Sequence, residues 1–408
     1  MSPKPIRTGS SPASSRPRTR LGLAAIAALV LSACAGGPDP AAERVSRSGA
    51  GFSPTSFAET PGWEQIDARP AFSAFQRSCE RIFGRSGAAP MMDGLWYAGR
   101  AMDWQAPCFM ALTARPETPR EAREFFQAWF VPVEVTTPGR LTGYYEPFVE
   151  ARRSPDPEFS MAIRAFPGAA PASEASDLGG LIARLEPGAG AQAGPLPPRA
   201  QIEARNLGAP LAWGRPIDVF FLQIQGSGRL VFEDGSQARA AFAGHNGQPY
   251  VSIGRLLVER GALSPHDASK QDIEAWLRAN GPSAWRPLFD ANPRYVFFQL
   301  EPIADPQEGP RGAQGAPLTP MASLAVDPAH HPYGAPILIE ADLPGAPGWR
   351  GLVVAQDAGG AIKGPARGDL FFGWGPEAGA AAGRQNDPDA RWTMLLPAPV
   401  AAALAGSS

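Results

Sequence analysis

Residues 351–374 read GLVVAQDAGGAIKGPARGDLFFGW, and the fold is decided there. An apolar run breaks at Asp357-Ala358-Gly359-Gly360 and resumes after Asp369 as LFFGW. Short apolar runs bounded by glycine, proline and aspartate predict strands joined by a loop. The pattern recurs outward: RYVFFQL from 294, SLAVD, PILIEA, and RWTMLL beyond. Evenly spaced short strands predict a barrel or a sandwich.

Further upstream, strands are predicted over 217–224 (IDVFFLQI), 229–233 and 237–243, with Asp234-Gly235 as a hairpin turn. Leu141–Val149, LTGYYEPFV, is strand-like. Thr118-Pro119-Arg120-Glu121 forms a capping box, and the helix behind it gathers Phe125, Phe126, Trp129 and Phe130 on one core face. Two more helices are predicted, near 252–260, stopped by Gly261, and near 270–279, capped by Ser269 and ended at Asn280-Gly281. Residues 165–199 read as a long surface insertion with one short helix near 176–185. The class is mainly β with some α, without internal repeats.

Composition agrees. The 45 glycines and 46 prolines call for many turns, while 44% hydrophobic residues and a net charge of -2 argue against disorder. Near-neutrality gives no argument for nucleic acid, which calls for a clustered basic face. The length suggests about two domains. Only Lys4, Lys270 and Lys363 are lysines, so a well-placed one stands out.

The amino terminus reads as an address. Residues 1–20 hold Lys4 and four arginines with no acid, and 21–31 (LGLAAIAALVL) are apolar. Eleven residues are too few to span a membrane and suit a signal-peptide core. Leu31-Ser32-Ala33-Cys34 follows and resembles a bacterial lipoprotein box, which implies a 1–33 signal peptide and diacylation of Cys34. The alternative is an ordinary signal peptide with an incidental cysteine. Ala35 in place of Asp points to the outer membrane, facing the periplasm. Residues 34–62 read as a flexible tether. In an oxidising compartment Cys79 and Cys108 favour a disulfide over two buried thiols. No metal site is expected, since CxxC and HExxH are missing and His330-His331 point apart.

The densest polar signal is three aspartates at strand ends: Asp327, Asp357 and Asp369. Gly359 and Gly360 follow Asp357 and would let a bulky ligand approach, with Lys363 close behind. Each aspartate also suits an ordinary turn. A second cluster is FFLQIQGSG, where Gln223 and Gln225 alternate with apolar residues and would share one strand face before Gly226-Ser227. Amides and hydroxyls in a row suit sugar hydroxyls, or simply a solvated sheet face. The third is Thr142, Tyr144, Tyr145 and Glu146, which could stack on a sugar or form a core Tyr pair with a turn.

Together LTGYYEP, FFLQIQGSG, GHNGQPYVSIGR, NPRYVFF, LAVDP with PYG, and AQDAGGAIKG with RGDLFFG resemble, in this order, the membrane-bound lytic murein transglycosylase A family, the last two matching its triple-aspartate domain. The resemblance spans about residues 63–397. It implies a double-psi β-barrel from 63–146 and 291–397, a smaller β-domain inserted at 147–290, a groove between them and a tail at 398–408. It further implies cleavage of the β-1,4 bond between N-acetylmuramic acid and N-acetylglucosamine, with 1,6-anhydro ends, by one acid matching Asp357. One carboxyl suffices when the nucleophile is the substrate's own 6-hydroxyl. Asp357 should then have a raised pKa, Asp327 and Asp369 should be supporting acids, and Lys363 should meet Asp369 or a substrate acetamide or carboxylate. Ala358 stands where the family often has Thr. No cofactor is implied; partners are glycan strands, the membrane through the lipid, and proteins of wall synthesis or division. The alternatives are a non-catalytic peptidoglycan-binding lipoprotein and a hydrolysing muramidase.

Overall fold

The structure, a computed structural model, describes residues 51–167, 196–265 and 268–405. The expected signal peptide, Cys34, the tether up to residue 50 and the helix near 176–185 lie outside the described residues.

Thirteen strands occur among the described residues. They are β1 (Phe52–Pro54), β2 (Phe130–Glu146), β3 (Phe148–Ala151), β4 (Met161–Arg164), β5 (Pro210–Gly214), β6 (Gly228–Phe232) and β7 (Gln237–His245), then β8 (Val296–Glu301), β9 (Ser323–Val326), β10 (Pro336–Leu343), β11 (Ala346–Ala358), β12 (Arg367–Trp374) and β13 (Asn386–Pro397). The order β2-β12-β9-β11-β10-β13 closes because β13 pairs back onto β2. The result is a six-stranded barrel with β1 added at its side. Two pairs, β2 with β12 and β9 with β11, are parallel, and the rest are antiparallel.

Small residues make the barrel interior possible. Trp392 on β13 is fully buried. A Cβ on Gly139 or on Gly368 would come within 2.4 Å of its ring. Only glycine on β2 and β12 leaves that room. The helices Arg69–Phe83 and Ala101–Thr113 cover the barrel, and a Cys79–Cys108 disulfide joins them. Phe72, Phe75, Phe126 and Phe130 pack edge to face beneath. These two helices are not foreseen by the strand-and-turn reading. The Pro119–Trp129 helix carries its capping box, Thr118 Oγ1 accepting from Glu121 N.

The second sheet has the order β3-β6-β7-β8. Its last strand, β8, comes from RYVFFQL, so that segment is corrected from the barrel to this sheet: β8 pairs with β7 over His245–Arg239. Residues 217–224 are a further correction. They lie in a helix, Pro216–Gln225, not a strand. The helix is apolar all round because it is buried on two sides. Val219 and Leu222 join the core of the sheet, while Ile217, Phe220 and Phe221 join a cluster with Leu257, Leu277 and Leu288. Helices Ile253–Glu259 and Lys270–Asn280 stand where predicted, and Pro282–Asp290 is an additional one. The tail is also corrected: Ala398–Ala405 is a helix that buries Val400.

The chain passes from barrel to second sheet at Glu146-Pro147 and returns through 302–310. Glu146 is fully buried between two guanidiniums, accepting from Arg229 Nε at 2.7 Å and Arg239 Nε at 2.6 Å. The same arginines donate to the Pro306 and Glu308 carbonyls on the returning segment. One carboxylate and two arginines therefore clamp both crossings. Glu146 is corrected from a sugar contact to this clamp, since both of its oxygens are occupied away from solvent.

Candidate active site

Register brings the site together. Asp357 on β11 pairs with Ala325 on β9, Ala325 with Asp369 on β12, and Asp369 with Thr142 on β2. Residues in one cross-strand row share a face. Ala325 puts only a methyl between the two acids, which sit two strands apart, roughly 10 Å from Cα to Cα.

A bulge between Ala355 and Asp357 turns Gln356 inward. Its amide donates to Ala74 O and Ser78 Oγ on the covering helix, each at 2.9 Å, and accepts from Ser323 Oγ. Its carbonyl accepts from Gln314 N at 3.0 Å. This pins the 310–316 loop beside the acid. Ala313 N then donates to Asp357 Oδ1 at 2.9 Å, as does Ala358 N at 2.8 Å. Tyr144 Oη donates to Oδ2 at 2.8 Å. Burial raises the Asp357 pKa; the Ala358, Tyr144 and Ala313 bonds oppose it, and the nearby Asp369 charge adds to the rise. Burial wins, and no described arginine or lysine pairs with the carboxylate. The site thus holds a carboxylic acid that keeps its proton above the ordinary range, with three donors ready to receive the anion when the proton leaves.

Asp369 is engaged elsewhere. Its Oδ1 accepts from Thr142 Oγ1 at 2.6 Å, and Thr142 accepts in turn from Arg367 at 2.8 Å. Burial raises its pKa, against the Thr142 bond and the Arg367 charge. The Tyr250 phenol on the second-sheet side is raised by burial and, in part, by the charge of Asp369. The loop of GHNGQPYVSIGR therefore comes near Asp369 of the barrel.

The remaining predicted residues divide. Asp327 is buried; Gly364 N at 2.9 Å and Ala329 N at 3.2 Å donate to it, holding the 359–366 loop. Burial pushes its pKa up, but those amides and Lys363 outweigh it and the carboxyl sits below its usual value. Lys363 is exposed, 3.5 Å from Asp327, so the expectation that it meets Asp369 is corrected. Gln225 Oε1 accepts from Tyr145 N at 3.1 Å, and Gly226 and Ser227 beside it are half-buried. Gly226 takes a φ of 83° as the helix cap. Gln223 lies elsewhere: in a helix, residues two apart point to opposite sides, and its amide is buried toward the Tyr295 hydroxyl without hydrogen-bond geometry. Tyr145 is buried, its ring against Gly379, and so offers no stacking face. Neither Gly359 nor Gly360 has a positive φ. A Cβ on Gly359 would lie 2.8 Å from Ile362, so that glycine serves packing.

Sequence reasoning missed Ala313, Gln314, Gln356 and Ser78, which fix the acid, Tyr250, which feels the charge of Asp369, and Arg294, which lies against Gly360. GAQG at 312–315 carried a turn signal, but nothing in it named a partner on β11.

Two family models match the chain: MltA specific insert domain over residues 140–299 and 3D domain over 322–395. The membrane-bound lytic murein transglycosylases A of Vibrio cholerae and of Escherichia coli K12 are each 35% identical to it, over 63% and 62% of this chain. Each match spans 65% of the relative, just under two thirds of its length. The crystal structure of a membrane-bound lytic murein transglycosylase from Agrobacterium tumefaciens superimposes with a TM-score of 0.74 at 30% identity, covering 86% of this chain and 99% of that one. Escherichia coli MltA with bound chitohexaose gives 0.61 at 26% identity, covering 86% and 97%.

Proposed function

The chain belongs to the membrane-bound lytic murein transglycosylase A family, and from that membership we propose that it cleaves the β-1,4 bond between N-acetylmuramic acid and N-acetylglucosamine in peptidoglycan. The products are 1,6-anhydromuramyl ends. Asp357, protonated, gives its proton to the departing glycosidic oxygen as the bond to C1 breaks. The muramyl 6-hydroxyl then attacks C1, and the Asp357 carboxylate takes the hydroxyl proton, which restores the acid. Proximity within the sugar replaces a second carboxylate.

The observation that carries this reading is the Asp357 environment: burial that favours the protonated acid, no paired cation, and three donors for its anion. A relative solved with bound chitohexaose supports a groove that accepts glycan. Hydrolysis is the second reading. Asp369 lies two strands away in the same row, and carboxyl groups roughly 6.5–9.5 Å apart can activate a water between them. Its Thr142 bond argues against that role.

Anchoring completes the proposal. Cys34 carries lipid and holds the enzyme on the periplasmic face of the outer membrane. No helix among the described residues is long and apolar enough to cross a membrane. Digestion of purified peptidoglycan followed by mass spectrometry tests the reaction. Anhydro muropeptides, one water lighter than hydrolytic ones, are expected. Reducing ends would instead establish the muramidase, and intact sacculi the binding protein.

A further inference from the structure

The loop that carries Asp357 meets a cation from the segment leading into β8. A Cβ built on Gly360 would lie 3.1 Å from Arg294 Cζ and 3.3 Å from its Nε. The guanidinium therefore rests directly on the Gly360 backbone. Gly360 is three residues beyond Asp357, so the two Cα atoms lie within roughly 11 Å.

Arg294 is held in place from behind. Its amide donates to Asn292 Oδ1 at 3.3 Å, and its carbonyl accepts from Arg199 at 2.8 Å. Among the described residues its side chain makes one bond, NH1 to Gln248 O at 3.3 Å. Among the described residues no carboxylate pairs with it, although the side chain is half-buried. Its neighbour His245 adds no competing positive charge at neutral pH: burial and the Arg294 charge push that imidazole down to about 4. A desolvated guanidinium with one weak carbonyl contact is costly unless an anion meets it. Here it stands beside the loop of the acid.

We propose that Arg294 is a carboxylate-binding residue of the glycan groove, taking the lactyl carboxylate of N-acetylmuramic acid in strands that carry no stem peptide. This rests on peptidoglycan being the substrate. A guanidinium offers paired N–H donors that match a carboxylate. When a stem peptide is attached, the lactyl group is an amide and has no charge to offer. Of the two cations in the Asp357 motif, Lys363 already faces Asp327 and Arg367 donates to Thr142. Arg294 thus biases the enzyme toward peptide-free glycan. Gly360 is its complement, because a Cβ there would push the guanidinium aside by a few tenths of an ångström.

The test compares the purified full chain with Arg294→Gln and Arg294→Lys on two substrates: peptide-free glycan strands and stem-bearing sacculi. Arg294→Gln is expected to raise KM about tenfold on peptide-free strands, the scale of a lost charged hydrogen bond, with kcat within about twofold. On stem-bearing sacculi its KM should stay within about twofold of wild type. Arg294→Lys should recover part of the loss, and added salt should weaken wild type on peptide-free strands but not Arg294→Gln. Equal effects on both substrates, or none on either, overturn the assignment while leaving the glycan reading intact. Wild type that cleaves neither substrate overturns both.

Discussion

Glu146→Gln is a sharp test of how the two sheets are joined. Glu146 is wholly buried, with Arg229 and Arg239 at 2.7 and 2.6 Å and themselves nearly inaccessible. Removing its charge strands two guanidiniums in the interior. Breaking one buried pair costs about 3–5 kcal/mol, and the carbonyls of Pro306 and Glu308 remain as partial partners. The expected loss is therefore about 4 kcal/mol, the middle of that range. At about 2 °C per kcal/mol for a large domain, Tm falls by about 8 °C. The assay is denaturant and thermal unfolding of wild type, Glu146→Gln, Arg229→Met, and the double variant. The double variant should lose less than the sum of the singles, because the stranded charge is removed with its partner. A Glu146→Gln protein with unchanged Tm and a raised KM for glycan would refute the clamp and restore the sugar-contact reading.

Other outcomes follow from the acid's surroundings. In the proposed reaction Asp357 acts first as an acid, so the rate should fall as pH rises through its raised pKa. Asp369→Asn removes a negative neighbour and should lower that pKa, moving the alkaline limb of the pH–rate profile to lower pH. Tyr144→Phe removes a donor to the anion and should move the limb the other way, with about a tenfold loss of kcat at neutral pH; identical profiles for both variants would contradict the geometry. The Cys79–Cys108 bond closes a separation of 29 residues, worth about 3.5 kcal/mol of unfolded-chain entropy. Calorimetry of the Cys79→Ala/Cys108→Ala pair should show Tm lower by about 7 °C, and an unchanged Tm would count against that entropy.

Much of the fold was legible because strands in the carboxy-terminal third are short, apolar and punctuated by glycine, proline and aspartate. The capping box at Thr118 and the cap at Ser269 marked two helix starts, since side-chain capping bonds are local. The failures are equally physical. IDVFFLQI is apolar on every side, so periodicity could not separate a buried helix from a strand. That error carried Gln223 to the wrong face. The Glu146 clamp was hidden because its arginines lie more than eighty residues away and become partners only when β6 and β7 pair. The row Asp357–Ala325–Asp369–Thr142 is likewise a product of register, which strand identity alone does not fix. The aspartates could be named as candidates, but which of them is free and which is tied to a neighbour required the folded chain.

The central claim is that Asp357 alone supplies acid and base. Its most direct test is the turnover of purified sacculi by Asp357→Asn beside Asp369→Asn, with both shown to be folded by their unfolding transitions. The account predicts a loss of about 10²–10⁴ for Asp357→Asn, the worth of a positioned acid–base group, with glycan binding retained and Asp369→Asn still active at its own pH optimum. Full turnover by Asp357→Asn, or equal loss in both variants, would contradict it.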